Sequence, residues 1–151
     1  MDLNTLWINV KKIWENGRGY KLREILEETN EAKVAIFTKG KTIAFVYVTI
    51  KQVSVQSIKK ILKMAEENKS NEIMIATTGK VTPQALEIGR QNNVEFIHKR
   101  APLLYIFDHW LVPEHRVLSK KEAKEVIEKF AGGNSELLPK ILVSDPAVRI
   151  L

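Results

Sequence analysis

Few residues in this chain have the type and spacing for chemistry. The 151 residues include no cysteine, which removes thiol nucleophiles, disulfides and cysteine-ligated zinc. His109 and His115 lie beside Asp108 and Glu114, and imidazole with carboxylate is a suitable ligand set for a divalent metal. Pro113, and the apolar pair Leu111-Val112 between the two histidines, favour instead an extended segment that sets a path between modules. His98, next to Lys99 and Arg100, reads as solvated surface rather than as a base. Metal-dependent strand cleavage needs carboxylates near a strand end, usually with a lysine close by. The stretch Val34 to Ile50 holds no Asp or Glu, and Glu72 and Glu95 are the acids that flank the later apolar runs. No Ser/His/Asp arrangement and no phosphate-binding glycine motif is present. The expectation is a chain without catalytic residues, metal site or cofactor of its own.

One non-catalytic feature stands out, the run Gly79-Lys80-Val81-Thr82-Pro83-Gln84. Thr82 and Pro83 suit the N-cap and first position of a helix, whose start presents free backbone N–H groups and a partial positive charge. Lys80 adds a full charge just ahead of it, so Lys80, Thr82, Pro83 and Gln84 together suit a phosphate group. The same residues also serve as an ordinary capped helix start. Lys and Arg number 24 against 18 Asp and Glu, a net charge of +6 with pI about 9.5. That balance favours polyanions modestly, and an evenly mixed charged surface also keeps domains soluble.

The elements that must position these residues follow from periodicity. Leu3, Leu6, Trp7, Val10, Ile13 and Trp14 recur at helical spacing and predict an opening amphipathic helix stopped at Gly17. Leu22, Ile25 and Leu26 predict a second short helix. Val34 to Thr38 and Thr42 to Ile50 are rich in β-branched and aromatic residues and read as a hairpin around Lys39-Gly40-Lys41. Ser54 caps a helix with Val55, Ile58, Ile61, Leu62 and Ala65 inward. Ile73 to Thr77 suits a buried strand, the Thr82-Pro83 helix runs to about Gln91, and Val94 to Ile97 returns to strand character. An α/β sheet with an antiparallel hairpin at one end and parallel crossovers after it is the simplest architecture.

A boundary is expected near His98 to Pro102, followed by an apolar strand over Leu103 to Phe107. Ser119 and Glu122 form a capping box ahead of a helix with Ala123, Val126, Ile127 and Phe130 on one face, ended by Gly132-Gly133. Ser144-Asp145-Pro146 caps a final turn. Trp7, Trp14 and Phe130, on helical apolar faces, are expected in the core, whereas Trp110 suits packing against another chain as well as within this one. Met1 to Leu6 carries Asp2 and Asn4 where a secretory leader needs a basic segment followed by an apolar run, and the apolar stretches are too short to cross a bilayer. The expected setting is soluble and intracellular, with no membrane partner.

Three signatures in the last third carry a family resemblance: His109-Trp110-Leu111-Val112-Pro113-Glu114-His115, then Leu138-Pro139-Lys140-Ile141, then Ser144-Asp145-Pro146-Ala147-Val148-Arg149. The region resembles the assembly module of the fifth-largest shared subunit of eukaryotic nuclear RNA polymerases and of its archaeal RNA polymerase counterpart. Upstream, Leu6-Trp7, the helix ending at Gly19-Tyr20, the Ile43 to Val48 strand and Val81-Thr82-Pro83-Gln84-Ala85 fall in the order of the eukaryotic jaw module, here shorter than usual. The resemblance implies a restriction-endonuclease-like jaw, a mixed sheet flanked by helices, over residues 1–101. A small α+β assembly module over 102–151 follows, cut short at Leu151 where family members continue with further strands.

The implied role is that of a non-catalytic subunit of a DNA-directed RNA polymerase that docks on the largest subunit and neighbouring subunits. The docking set is His109 to His115 with Leu138, Pro139, Lys140, Asp145, Pro146 and Arg149. In the resembling jaws the Lys80 to Gln84 loop faces downstream duplex DNA, which implies weak contact to backbone rather than bases. The place would be the site of transcription: the nucleus in a eukaryote, the cytoplasm in an archaeon or a virus. The other reading is a stand-alone polymerase-binding regulator, or a mimic occupying the same docking surface.

Overall fold

A computed structural model describes residues 1–98 and 103–151, so all but the first residue of the boundary expected near His98 to Pro102 lies outside the described residues. The chain forms two compact units, Met1–Tyr105 together with Ile150, and Ile106–Arg149 together with Leu151.

The first unit opens with helix α1 (Leu3–Lys12), capped by the Asp2 carboxylate, which accepts from the Thr5 amide at 3.0 Å. A π-helical turn over Ile13–Gly17 extends it. The turn ends at Gly17 as expected, with Arg18 as its C-cap, and it is Gly19 that takes the left-handed φ of +73°. Five strands follow, β1 (Lys21–Glu28), β2 (Ala32–Lys39), β3 (Thr42–Thr49), β4 (Glu72–Thr77) and β5 (Val94–His98), in the sheet order β1-β2-β3-β4-β5. The pairs β1/β2 and β2/β3 are antiparallel, while β3/β4 and β4/β5 are parallel. Helices α2 (Val55–Glu67) and α3 (Pro83–Gln91) make the two parallel crossovers. The element order is therefore helix, three strands, helix, strand, helix, strand.

Alternate residues of the central strands serve opposite faces, as a strand's period of two requires. Val34, Ile36, Phe45 and Ile75 pack with Ile58, Ile61 and Ala65 of α2 and Ala85 of α3. On the other face Phe37 meets Trp7 and Trp14, with ring centroids 6.1 and 5.9 Å apart, and the Trp14 indole N–H points at the Met74 sulfur. Trp7 and Trp14 are core residues. With both faces covered, β2 reads as a run of six buried positions rather than an alternation.

The second helix expected at Leu22 to Leu26 is instead β1. Register shifts between Leu22 and Glu24, and again between Ile25 and Glu27, are β-bulges that leave Arg23 and Leu26 outside the pairing. Two extra residues break the period of two and leave apolar side chains at a helix-like spacing of three and four. The strand lies at the sheet edge, and its charged composition suits that position. The hairpin has Lys39 opposite Thr42, with Gly40 at φ +59° in the two-residue loop between them. No strand forms over Leu103 to Phe107; the Tyr105 amide donates to the Asn9 side-chain oxygen at 2.9 Å, and Ile106–Asp108 is a 3-10 turn.

The second unit contains α4 (Lys120–Ala131), a 3-10 turn at Ser135–Leu137 and α5 (Pro146–Ile150), whose last residue groups with the first unit. The α4 capping box is reciprocal: the Glu122 amide donates to Ser119 Oγ at 3.3 Å and the Ser119 amide to the Glu122 carboxylate at 2.9 Å. Gly132 closes the helix at φ +53°, and the Asp145 side chain caps α5. Phe130 is 68% exposed, outside any core, with Lys129 Nζ 5.2 Å from its ring centre. The helix has an apolar stripe, but nothing in its own unit covers the end of it.

Hydrogen bonds from Ser119 and Arg116 hold the Glu122 carboxyl at about 2, below its ordinary 4.5. A depressed carboxyl contributes stability that is present above its unfolded value and lost as pH falls from about 4.5 through about 2. In Ser119→Ala the Glu122 pKa should move back toward 4.5 and the first-turn amides of α4 should exchange faster. Carboxyl NMR titration and amide exchange check both; an unmoved Glu122 pKa would show that the cap does not set it.

Candidate functional site

In the first unit the C-terminal ends of β3 and β4 form a rim from which α2 and α3 start. Thr49 and Thr77 face each other in the β3/β4 register and are two of the three buried polar residues among those described, the third being Lys33. The Thr49 hydroxyl donates to the Glu31 carbonyl at 2.9 Å and accepts from the Lys51 amide at 3.1 Å. The Thr77 hydroxyl repeats the pattern one strand over, donating to the Lys51 carbonyl at 3.0 Å and accepting from the Gly79 amide at 2.9 Å. Beyond them the loops pair as a short parallel bridge, Val53 N–H to Lys80 O at 2.9 Å and Thr82 N–H to Val53 O at 3.1 Å. Gly79 has no room for a side chain, since a Cβ there would lie 2.2 Å from the Lys51 carbonyl oxygen.

This pairing brings the Ser54 and Thr82 helix starts side by side. Thr82 Oγ1 accepts from the Ala85 amide at 3.3 Å with Pro83 in the first turn, so the capped helix expected there is present. Lys80, Pro83 and Gln84 are exposed and Thr82 is half-buried. Lys51 was not singled out by sequence reasoning. It lies on the adjoining loop, with its ammonium 2.5 Å from the Glu31 carboxylate. The one sequence signal for the pairing was Gly79, whose lack of a side chain marks close backbone approach.

Glu72 and Glu95 serve the opposite end of the parallel strands. Arg18 grips Glu95 with two hydrogen bonds of 2.8 and 2.9 Å and lies over the Trp14 ring at 4.7 Å. Burial, and the hydrogen bond to Glu72, push the Tyr20 phenol up to about 12. Among the described residues no group of three or more metal-ligating side chains comes together. His98 is half-buried rather than solvated and meets Phe96 edge-on, with ring centroids 6.3 Å apart.

In the second unit the signature residues and the segments between them include several exposed apolar side chains. His109 stacks on Trp110 with centroids 6.3 Å apart, and the Leu111 amide donates to His109 Nδ1 at 3.2 Å. His115 stacks on Phe107 at 5.5 Å and lies 2.7 Å from the Pro113 carbonyl oxygen. The two imidazoles are thus occupied with rings and backbone. Trp110 is 85% exposed, Leu142 74% and Val143 84%. Val112 and Leu138 are half-buried, whereas Pro113, Glu114, Pro139, Lys140 and Pro146 are exposed. Lys140 pairs with Glu136, Asp145 is spent as a helix cap, and Arg149 is half-buried in α5.

The Arg18–Glu95 pair is expected to be structural. Glu95→Gln should lower the unfolding free energy by about 1–3 kcal/mol, the range for a charge-assisted, partly buried pair, as read by urea denaturation. The pure chain should not nick supercoiled DNA in magnesium. Nicking that disappeared in Glu72→Gln or Glu95→Gln would overturn the non-catalytic assignment of both acids.

Residues 10–102 match the model of a restriction endonuclease family, and residues 104–151 match that of the RNA polymerase Rpb5 C-terminal domain. DNA-directed RNA polymerase subunit Rpo5 of Thermococcus kodakarensis is 56% identical over 43 residues, 28% of this chain and 51% of that protein. The Rpo5 subunit of Pyrococcus horikoshii is 52% identical over 46 residues, 30% of this chain and 55% of that one. The rpabc1 subunit of DNA-directed RNA polymerases I, II and III from Dictyostelium discoideum is 31% identical over 104 residues, 65% of this chain and 52% of that protein. The chain spans about half the length of the curated relatives it matches. The restriction endonuclease model covers more than half of the chain, whose first unit carries a mixed five-stranded sheet, so the chain belongs to that family through its first unit, while its second is similar to the C-terminal domain of RNA polymerase Rpb5.

Proposed function

We propose that this chain is a non-catalytic subunit of a DNA-directed RNA polymerase, located inside the cell at the site of transcription. Its second unit docks on the largest subunit and its first forms a jaw beside downstream duplex DNA. The observation that carries the reading is the second unit's set of exposed apolar side chains, on the segment, residues 104–151, that matches the Rpb5 C-terminal domain. A tryptophan left 85% exposed on a small soluble unit is the kind of residue that anchors an interface.

The DNA-facing part of the proposal is the rim at Lys80, Thr82, Pro83 and Gln84. An exposed lysine ahead of a helix start supplies a charge and free backbone N–H groups. Such contacts read phosphate rather than sequence, as an enzyme that moves over every sequence requires.

Two measurements test the reading. Trp110→Asp, at a position where folding does not depend on the side chain, should abolish copurification with the largest subunit; undiminished copurification would remove the docking assignment. One copy per polymerase is expected from the wild-type chain, and a substoichiometric amount would favour the stand-alone regulator. Lys80→Glu should leave assembly intact while shortening the lifetime of polymerase–DNA complexes by about 1 kcal/mol, the scale of one charge at a helix terminus. The effect should shrink with added salt and be the same on different sequences. Equal lifetimes at two salt concentrations would take this loop out of the DNA path.

A further inference from the structure

The rim's geometry assigns a role to a residue that touches no exposed surface. Thr77 is fully buried at the end of β4, yet its hydroxyl is committed on both sides to loop backbone: it donates to Lys51 O and accepts from Gly79 N. Valine at this position would fill the same space in a β-strand and leave a carbonyl and an amide without their partner. The bond it makes spans 26 residues and ties the loop carrying Lys80 to the loop carrying Lys51. Thr49 ties that second loop in turn to the start of β2 through Glu31 O. The Lys51 ammonium is held by Glu31, whereas Lys80 has no ion-pair partner among the described residues, so the free cation of the rim is the one positioned by Thr77.

We propose that Thr77 is a positioning residue for phosphate contact, its hydroxyl locking the Lys80 loop against the Lys51 loop so that Lys80 and the α3 start are presented in one fixed geometry. Binding to a preformed rim avoids the entropy cost of ordering a loop at the moment of contact. This inference rests on the proposed DNA-facing role of Lys80.

The test is an amide chemical-shift titration of the full chain with a duplex DNA of mixed sequence at low salt, where weak affinity is measurable. In the wild-type chain the amides of Lys51 to Val53 and of Gly79 to Thr82 should shift together with one affinity. Thr77→Val should weaken binding about fivefold, the change equivalent to one charge at a helix terminus. Thr77→Ser, which keeps the hydroxyl, should stay within about twofold of wild type, a rescue that loss of packing alone would not give. In a Lys80→Glu background Thr77→Val should add little, because the two changes remove one contact.

If Lys80→Glu binds as wild type does, the DNA-facing reading itself fails. If Lys80→Glu weakens binding but folded Thr77→Val does not, or the two effects add in full, the positioning role is overturned and the DNA reading stands. Should Thr77→Val not fold, the wild-type and Thr77→Ser titrations decide. Shifts confined to the Gly79 to Thr82 loop, or a Thr77→Ser chain as weak as Lys80→Glu, overturn the role.

Discussion

Strands β2, β3 and β4 are covered on both faces, so every backbone group along them must find its partner inside the protein. Within the sheet the ladder provides that partner. At the C-terminal ends of β3 and β4 the ladder runs out while the chain is still buried, and there two threonine hydroxyls take over. Each both accepts an amide and donates to a carbonyl, a dual capacity that a hydroxyl has and an aliphatic side chain of the same shape lacks. The Thr49 hydroxyl bridges Glu31 and Lys51, and that of Thr77 bridges Lys51 and Gly79. From this satisfaction of buried backbone follow the pairing of the two loops and the side-by-side placement of the two helix starts. The exclusion of any side chain at residue 79 follows too.

Local signals in the sequence reach as far as local interactions do. The Ser54, Thr82, Ser119 and Asp145 caps each satisfy an amide two or three residues on, and each was legible from residue type and spacing alone. The hairpin at Gly40 was legible for the same reason. What was not legible depends on partners distant in sequence. The β1 strand is specified by pairing with β2 through two bulges that erase its alternation, and the apolar run at Leu103 to Phe107 finds no free ladder to join. Phe130 lies on a well-formed amphipathic stripe, but a stripe says only that a face is apolar and not that its partner belongs to the same unit. The rim joins residues 26 apart in the chain, and only the crowding at Gly79 hinted at it.

The two units are held by different physics. The first has a continuous core on each side of its sheet, with large side chains such as Trp14, Phe37, Phe45 and Ile61 fully buried. Between Ile106 and Arg149 the buried apolar residues are Ala131 and Ala147 alone, neither of them fully buried, while Trp110, Leu111, Val117, Leu137, Leu142 and Val143 lie open. Its order comes from one capping box, two simple helix caps, a glycine stop and short-range ion pairs, interactions that are each weak. A segment so built keeps its local shape while its apolar surface remains available to another chain. The same segment, residues 104–151, is the part of the chain that matches the Rpb5 C-terminal domain.

Kinship with restriction endonucleases raises the question of how the acids of such a sheet are used when, among the described residues, no group of three metal-ligating side chains comes together. Holding a divalent metal for phosphodiester cleavage takes several oxygen ligands, commonly two carboxylates, at one strand edge. At the rim the Glu31 carboxylate is paired with the Lys51 ammonium. The other two candidate acids, Glu72 and Glu95, are engaged at the far end of the parallel strands with Tyr20 and Arg18. What stands at the rim, among the described residues, is an exposed lysine without an ion-pair partner beside two capped helix starts, the groups on which the proposed phosphate contact rests.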